Sequence, residues 1–542
     1  MKKQAPFIRL GLASCLVLSL LVTVQPARAA SLTVCPFSNV CLYQSIKTAV
    51  AAAQAGDTIA VKSGTYLEHD IAISMNLTIS GDGSGSVTLN AGGNGRGFKI
   101  SSGATVSISG MTITNGKVVG DNGGGISSNG DLILIDTIVT NNSADLLNSN
   151  DDMKAEGGGI YASGFLTMTN SQVTYNHAAY LGAGIALSMG TEANLTNVLI
   201  QHNTAQDPND TYSGSGAGIY LDSFSGTNAS NLYLYQTTVD NNTANRYGGG
   251  IFIRPYAKVF ILNSTISNNH ASEIAGIWSQ TNSQLIMTND TISGNDAGTA
   301  SGGGLTVYGT ASLTNVTVAG NHAGVGGGIL DIEGTVNLQD SIVAGNTASS
   351  GGPDCYGTLQ SQDYNLIGNA NSCTISGMTA HNILGVPAKL GALANNGGPT
   401  QTMALLSGSP AINAANNSTC MGGDQRGALR PVGAACDMGA FELRDKSITT
   451  FTLETPDPSA IGQNVILLIT VSGGTKTPTG TVVTSGADSN CSMTLSSGVG
   501  SCMVSFSSGG TKTLTASYSG DASHETSTAT TTHQVLGPGR TP

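Results

Sequence analysis

The stretch Gly157–Ala178, GGGIYASGFLTMTNSQVTYNHA, holds one complete unit of the chain. It has a glycine turn, an aliphatic residue, short alternating runs and an Asn two residues before Ala. The same turn reads Gly-Gly-Gly-Ile at Gly123–Ile126 and Gly248–Ile251, and variants end at Ile185, Ile219, Ile277, Leu305 and Ile329. The asparagine returns at Asn142, Asn176, Asn203, Asn242, Asn269, Asn295, Asn321 and Asn346, each with Ala at the second following position. Recurrence at intervals of 25 to 39 residues is the signature of a solenoid, in which each unit buries its apolar side only by stacking on its neighbours.

The short runs, such as Leu166-Thr167-Met168 and Leu285-Ile286-Met287, alternate with the period of β-strands. They predict an all-β coil of three strands and about 25 residues from Ile71 to about Gly352. Glycine permits positive φ at the tight turn, and Asn also tolerates left-handed conformations. Stacked in register, the Asn amides can pair from coil to coil.

Composition narrows the function. Charged residues make up 10% of the chain, against about 25% in ordinary domains, and the formal net charge is −12. An acidic chain without basic runs is a poor ligand for phosphate backbones, so nucleic acid is not expected as a partner. Residues 1–29 read as a secretory signal: Lys2, Lys3 and Arg9, then the apolar run Leu10–Val24, then Ala27-Arg28-Ala29 as the cleavage site. Leu12-Ala13-Ser14-Cys15 resembles a lipidation box, but most of the apolar run lies after Cys15. No later segment is apolar and long enough to span a membrane. The expectation is an exported protein, extracellular or at the cell surface.

Eight cysteines remain after the signal, in local pairs: Cys35/Cys41, Cys355/Cys373, Cys420/Cys436 and Cys491/Cys502. Disulfides suit an oxidising compartment. Eight cysteines allow 105 connectivities, among which neighbour pairing is the working assignment. Neither Cys-x-x-Cys nor clustered His accompanies them, so no metal and no cofactor are expected.

Leu42, Ile46, Val50 and Ala53 share one helical face within Cys35–Gln54, Gly56-Asp57 ends that helix, and Thr58–Val61 and Gly64-Thr65-Tyr66 begin β structure. This resembles the entry cap of right-handed parallel β-helices of the pectin-lyase type, which implies a β-helix over residues 30–352. The glycine turn plus aliphatic-x-x-Asn is similar to the repeat of polymorphic outer-membrane proteins. That resemblance implies surface display, although no membrane β-barrel sequence follows.

Residues 353–444 carry Tyr364-Asn365-Leu366-Ile367-Gly368, Asn396-Gly397-Gly398-Pro399-Thr400, Asp424-Gln425-Arg426-Gly427 and Asp437-Met438-Gly439-Ala440-Phe441-Glu442. They resemble the choice-of-anchor domain of exported bacterial proteins, expected here to close the far end of the solenoid. Residues 447–536 are rich in Thr, Ser and Val, with turns at sandwich-like spacing. Thr477–Val482 and Tyr518–Ala522 resemble bacterial immunoglobulin-like repeats, which implies a β-sandwich used as stalk or spacer.

Equivalent residues on successive coils lie about 4.8 Å apart. The residue after each turn aliphatic points outward: Ser127, Tyr161, Ala186, Tyr220, Phe252, Trp278, Thr306 and Leu330. Tyr220, Phe252 and Trp278 thus form an aromatic stripe. Two residues on stand Asp222, Arg254, Gln280 and Tyr308. Such a face suits sugar stacking or protein contact. It also suits plain cross-strand pairing, with Asp222 and Arg254 as a surface ion pair.

A second column, His270, Asp296 and His322, puts its imidazoles about 10 Å apart, too far to share an ion, and reads as a hydrogen-bond ladder. Two acidic turns, Ala144–Glu156 with Asp145, Asp151 and Asp152, and Gln206–Ser215 with Asp207 and Asp210, read as calcium sites or, more commonly, as solvated loops.

No catalytic residues emerge. The strands lack a Gly-His-Gly motif, and Gly81–Gly85 lacks the serine of a nucleophile elbow. The expected function is adhesion or binding of a polysaccharide or cell-surface protein, without catalysis. The alternatives are a polysaccharide lyase or glycoside hydrolase acting on the Tyr220–Tyr308 face, and a structural surface-layer component.

Overall fold

The computed structural model describes residues 29–37, 40–147, 155–207, 214–420, 422–474 and 476–537. Residues 1–28, nearly all of the segment read as a secretory signal, and Asp151, Asp152 and Asp210 of the acidic turns lie outside the described residues. The chain is a parallel β-helix followed by a C-terminal Ig-like sandwich.

In the coil that begins at Gly157, strands run Ile160–Ala162, Leu166–Thr169, Gln172–Thr174 and His177–Ala178. Each pairs in parallel with its equivalents one coil away. Ile160, for example, lies between Ile126 and Ile185. Alternation sends Ile160, Ala162, Leu166, Met168 and Val173 inward, where all are fully buried. The fourth strand is absent from the three-strand expectation. It forms because the pair after each ladder Asn is also extended and stacks, as His177–Thr204, Thr204–Thr243 and Thr243–His270. Its Ala178, Ala205, Ala244 and Ala271 make a small alanine core of their own.

The corners follow from backbone conformation. The first turn glycine is left-handed, with φ +66° at Gly157 and +61° at Gly248. The second is excluded from bearing a side chain by contact, since a Cβ on Gly158 would lie 2.0 Å from the His177 carbonyl oxygen. The ladder asparagines are not the left-handed residues. The residue before each of them is, as at Asn141, Tyr175, His202, Asn241 and Asn268. That twist turns the next carboxamide inward. Asn242 shows the result: its N–H and its Nδ2 both donate to Asn269 Oδ1 at 3.0 Å, and its Nδ2 also donates to Ile200 O. The pattern repeats from Asn142 to Asn346 and stops at Asp354. A buried amide is tolerated because every donor has an acceptor.

At the entry, the helix is Ile46–Ala52 rather than the longer span expected, and Leu42 is exposed. Glu68 fixes its start by accepting from Ile46 N, Lys47 N and Ser45 Oγ, an anion at a helix N-terminus. Ile46, Ala49 and Val50 are buried.

At the other end, the ladders continue through Cys373–Met378 and Ile383–Leu384, past the change of composition at Gly352. The following segment does not simply close the open end. It lies along the solenoid's flank: Gln425 Nε2 donates to Ser264 O, Thr291 Oγ1 donates to Gln425 Oε1, and Ala440 N donates to Thr317 Oγ1. Small outward residues on these coils, Thr265, Ser267, Thr291, Ser293 and Thr317, let it approach. The Asp424–Gly427 and Asp437–Glu442 motifs form its buried polar centre, with Arg426 on Asp424 at 2.7 Å and Arg430 beside Glu442 at 3.5 Å.

The Ig-like unit packs strands Ile448–Thr455, Val465–Ser472 and Val499–Val504 against a second sheet built on Gly510–Tyr518 and Ser527–Leu536. All four disulfides join neighbours, Cys35–Cys41, Cys355–Cys373, Cys420–Cys436 and Cys491–Cys502. No helix among the described residues is long and apolar enough to cross a membrane.

Candidate functional site

The register stacks Tyr161, Ala186, Tyr220, Phe252, Trp278 and Thr306 as one outward column. Tyr220 and Phe252 meet edge to face at 5.5 Å, and Phe252 stacks on Trp278 at 4.4 Å. Tyr308 reaches the far side of Trp278 at 6.5 Å. All the residues singled out by spacing are therefore neighbours.

They are not an open stripe. Tyr220 and Phe252 are each only 5% exposed. A second column, invisible in the strand alternation, stands beside them. It is made by the residue just before each turn: Glu156 bridges to Leu181, Leu181 to Ser215, and Tyr247 to Ile274. Tyr247 closes on Trp278 at 4.3 Å, and Phe224 sits under the Arg254 guanidinium at 4.5 Å. Leu181, Ala186, Tyr220 and Phe252 thereby form an apolar cluster outside the solenoid core. Phe252 is a packing residue as much as a surface one. The signal for Glu156, Leu181 and Tyr247 was their fixed offset from the turn glycine.

What remains open is a groove of about 240 Å³ between the two columns, reached by Glu156, Tyr220, Asp222, Arg254, Trp278 and Gln280. Drug-sized pockets begin at about 300 Å³, so this one takes a single ring-sized group. Asp222 lies 3.8 Å from Arg254 and accepts from the Tyr220 hydroxyl at 3.3 Å. Burial pushes the Asp222 carboxyl up, with Arg254 and Tyr220 opposing it. Burial, reinforced by the Asp222 charge, pushes Glu156 up to about 8, so Glu156 carries a proton at neutral pH and can donate. Arg254 Nε and Trp278 Nε1 are buried and have no hydrogen-bond partner. The groove therefore combines an apolar wall, three donors and one carboxylate.

The histidine column is in register as expected, His270 beside Asp296 and Asp296 beside His322. The side chains do not join, however. Asp296 accepts from Gly298 N, and His322 turns to Thr347 Oγ1. Of the acidic turns, Asp145 is held by Lys117 at 3.0 Å.

Residues 452–536 match the family described as bacterial Ig-like domain, group 3. No curated protein matches the chain in sequence. Among solved structures, pectin methylesterase PemA from Erwinia chrysanthemi aligns over 66% of this chain and 93% of that chain, at 11% identity and a TM-score of 0.22. That superposition is too poor to bear on the site.

Proposed function

We propose that this is an exported, surface-displayed β-helix that binds a neutral, hydroxyl-bearing ring, a sugar residue of a glycan, in the Tyr220–Trp278 groove without transforming it. The observation that carries the reading is a pair of buried nitrogens that make no hydrogen bond beside a wall of aromatic carbon: Trp278 Nε1, and Arg254 Nε, which Asp222 approaches only to 3.8 Å. A buried unpaired donor costs about 1–3 kcal/mol, which a ligand hydroxyl or ring oxygen recovers. Protonated Glu156 adds a third donor, and the Asp222 carboxylate accepts. Display outside the cell rests on the signal-like leader and on four disulfides. The test is a glycan array with the mature chain and Trp278→Ala. Binding lost in the variant supports the reading, and a proven ligand held equally well by both proteins removes it.

A second reading, glycoside hydrolysis, is favoured by two carboxyl groups of unlike protonation in one groove, an acid at Glu156 and a carboxylate at Asp222. Release of reducing ends from a bound glycan, abolished by Arg254→Ala or Glu156→Gln, would replace binding with catalysis.

A further inference from the structure

The Ig-like unit holds a cluster that the groove does not explain. Among the described residues, the potential ligand atoms of Glu454, Asp457 and His533 converge to within 4.8 Å of one another. Glu454 lies on strand Ile448–Thr455 of one sheet, His533 on strand Ser527–Leu536 of the other, and Asp457 in the connection that follows Glu454. The His533 ring is wholly buried and stacks on Phe506 at 4.8 Å. Its Nδ1 lies 2.5 Å from Glu454 Oε1 and 3.4 Å from Asp457 Oδ1.

Neither His533 Nδ1 nor Glu454 Oε1 makes a hydrogen bond of normal geometry, although both are buried. The contrast within the same unit is His524, whose Nδ1 meets Asp521 at 2.9 Å in a regular hydrogen bond. The other ring nitrogen has a hydroxyl partner of its own. Nε2 lies 2.8 Å from the hydroxyl of Ser459, itself fully buried. When Nε2 carries the proton and donates it to Ser459, the Nδ1 lone pair faces two carboxylates. A cation among them, a proton on Nδ1 or a metal ion, turns that arrangement attractive. A ligating histidine that anchors its second nitrogen to a neighbouring oxygen is the usual second contact of a metal site.

We propose that Glu454, Asp457 and His533 bind one divalent cation of the zinc type, which ties the two sheets of the sandwich together. One imidazole and two carboxylates suit zinc better than calcium or magnesium, which take oxygen alone. Three protein ligands leave a fourth, tetrahedral position. It opens on the side of Asp457, whose side chain is 39% exposed. Ligands drawn from both sheets make the ion a cross-link of the folded state, so its binding energy adds to stability.

The full chain, stripped of metal by chelation, tests this. Titration with Zn²⁺ by calorimetry, and with Co²⁺ by visible absorption, should show one ion per chain with a tetrahedral cobalt spectrum. Calcium and magnesium should not compete. Glu454→Gln and Asp457→Asn, which keep the side-chain shape, should each weaken binding by about tenfold or more. His533→Ala should abolish it. Zinc should raise the unfolding temperature of the wild-type Ig-like unit and not that of the variants. An absence of zinc and cobalt binding in the wild-type chain overturns the proposal. So does binding that survives undiminished in Glu454→Gln and Asp457→Asn, because the ion then sits elsewhere.

Discussion

Asp354 Oδ1 accepts both the backbone N–H and the Nδ2 of Asn346, each at 2.9 Å, and so ends the asparagine ladder with a group that only accepts. A further Asn would need another acceptor beyond it. The carboxylate needs none, and its Oδ2 takes the N–H of Asn369.

Asp354→Ala should therefore leave two buried donors without partners. The expected cost is about 2–4 kcal/mol, confined to the last coils because a solenoid's stability is set between neighbours. Asn242→Ala should cost a similar amount at mid-ladder, where Asn203 loses the acceptor for its N–H and Nδ2. Hydrogen exchange read coil by coil separates the two. Faster exchange spread evenly over the whole solenoid would contradict both.

Trp278→Ala and Phe252→Ala should differ in kind. Phe252 is buried between Tyr220 and Trp278, so its truncation should destabilise the chain by about 3–5 kcal/mol. Trp278 faces the groove, and its loss should cost affinity of about 2 kcal/mol or more if it is the binding anchor. Thermal unfolding and ligand titration on each variant give the comparison. The chain has a single tryptophan, so its fluorescence reports occupancy of the groove directly.

Glu156 holds its proton more tightly in the folded chain than in the unfolded one, about 8 against 4.5. Stability should fall as pH rises between those values, because the folded state then binds the extra proton. Glu156→Gln should flatten the unfolding temperature across that window. In the wild type, ligand affinity should drop above pH 8 with a one-proton slope, as the donor becomes a carboxylate.

Asp521 behaves in the opposite sense. Burial alone would raise its pKa, but hydrogen bonds from the backbones of Thr479 and Ser523 and from the side chains of His524 and Thr479 hold it far below the usual 3.8. Its contribution is present above the unfolded value and lost as pH falls through the folded one. Asp521→Ala should destabilise the Ig-like unit at neutral pH by about 2 kcal/mol and remove its acid sensitivity. Urea unfolding at pH 7 and pH 2 measures both effects.

The repeat fixed most of the architecture in advance. A turn glycine followed by an aliphatic residue repeats only if the coils superimpose. The columns Ile126–Ile160–Ile185 and Tyr220–Phe252–Trp278 accordingly lie in register as spacing requires. Spacing also placed the asparagines over one another, because their stacking depends on distance along the coil axis, whereas the cysteine pairing stayed open among 105 connectivities until the structure joined neighbours. It could not say which coil faces meet other parts of the molecule. That Leu181 packs on Tyr220, that Tyr247 closes on Trp278, and that the Asp424–Gly427 segment lies on the flank at Thr291 depend on which side chains meet once the chain is folded. Glu454 and His533, too, meet only because two sheets close on each other. Local hydrogen bonding and side-chain alternation are written in the sequence. Burial, and with it the protonation of Glu156 and the meeting of the His533 ring with two carboxylates, is decided only when distant surfaces exclude water.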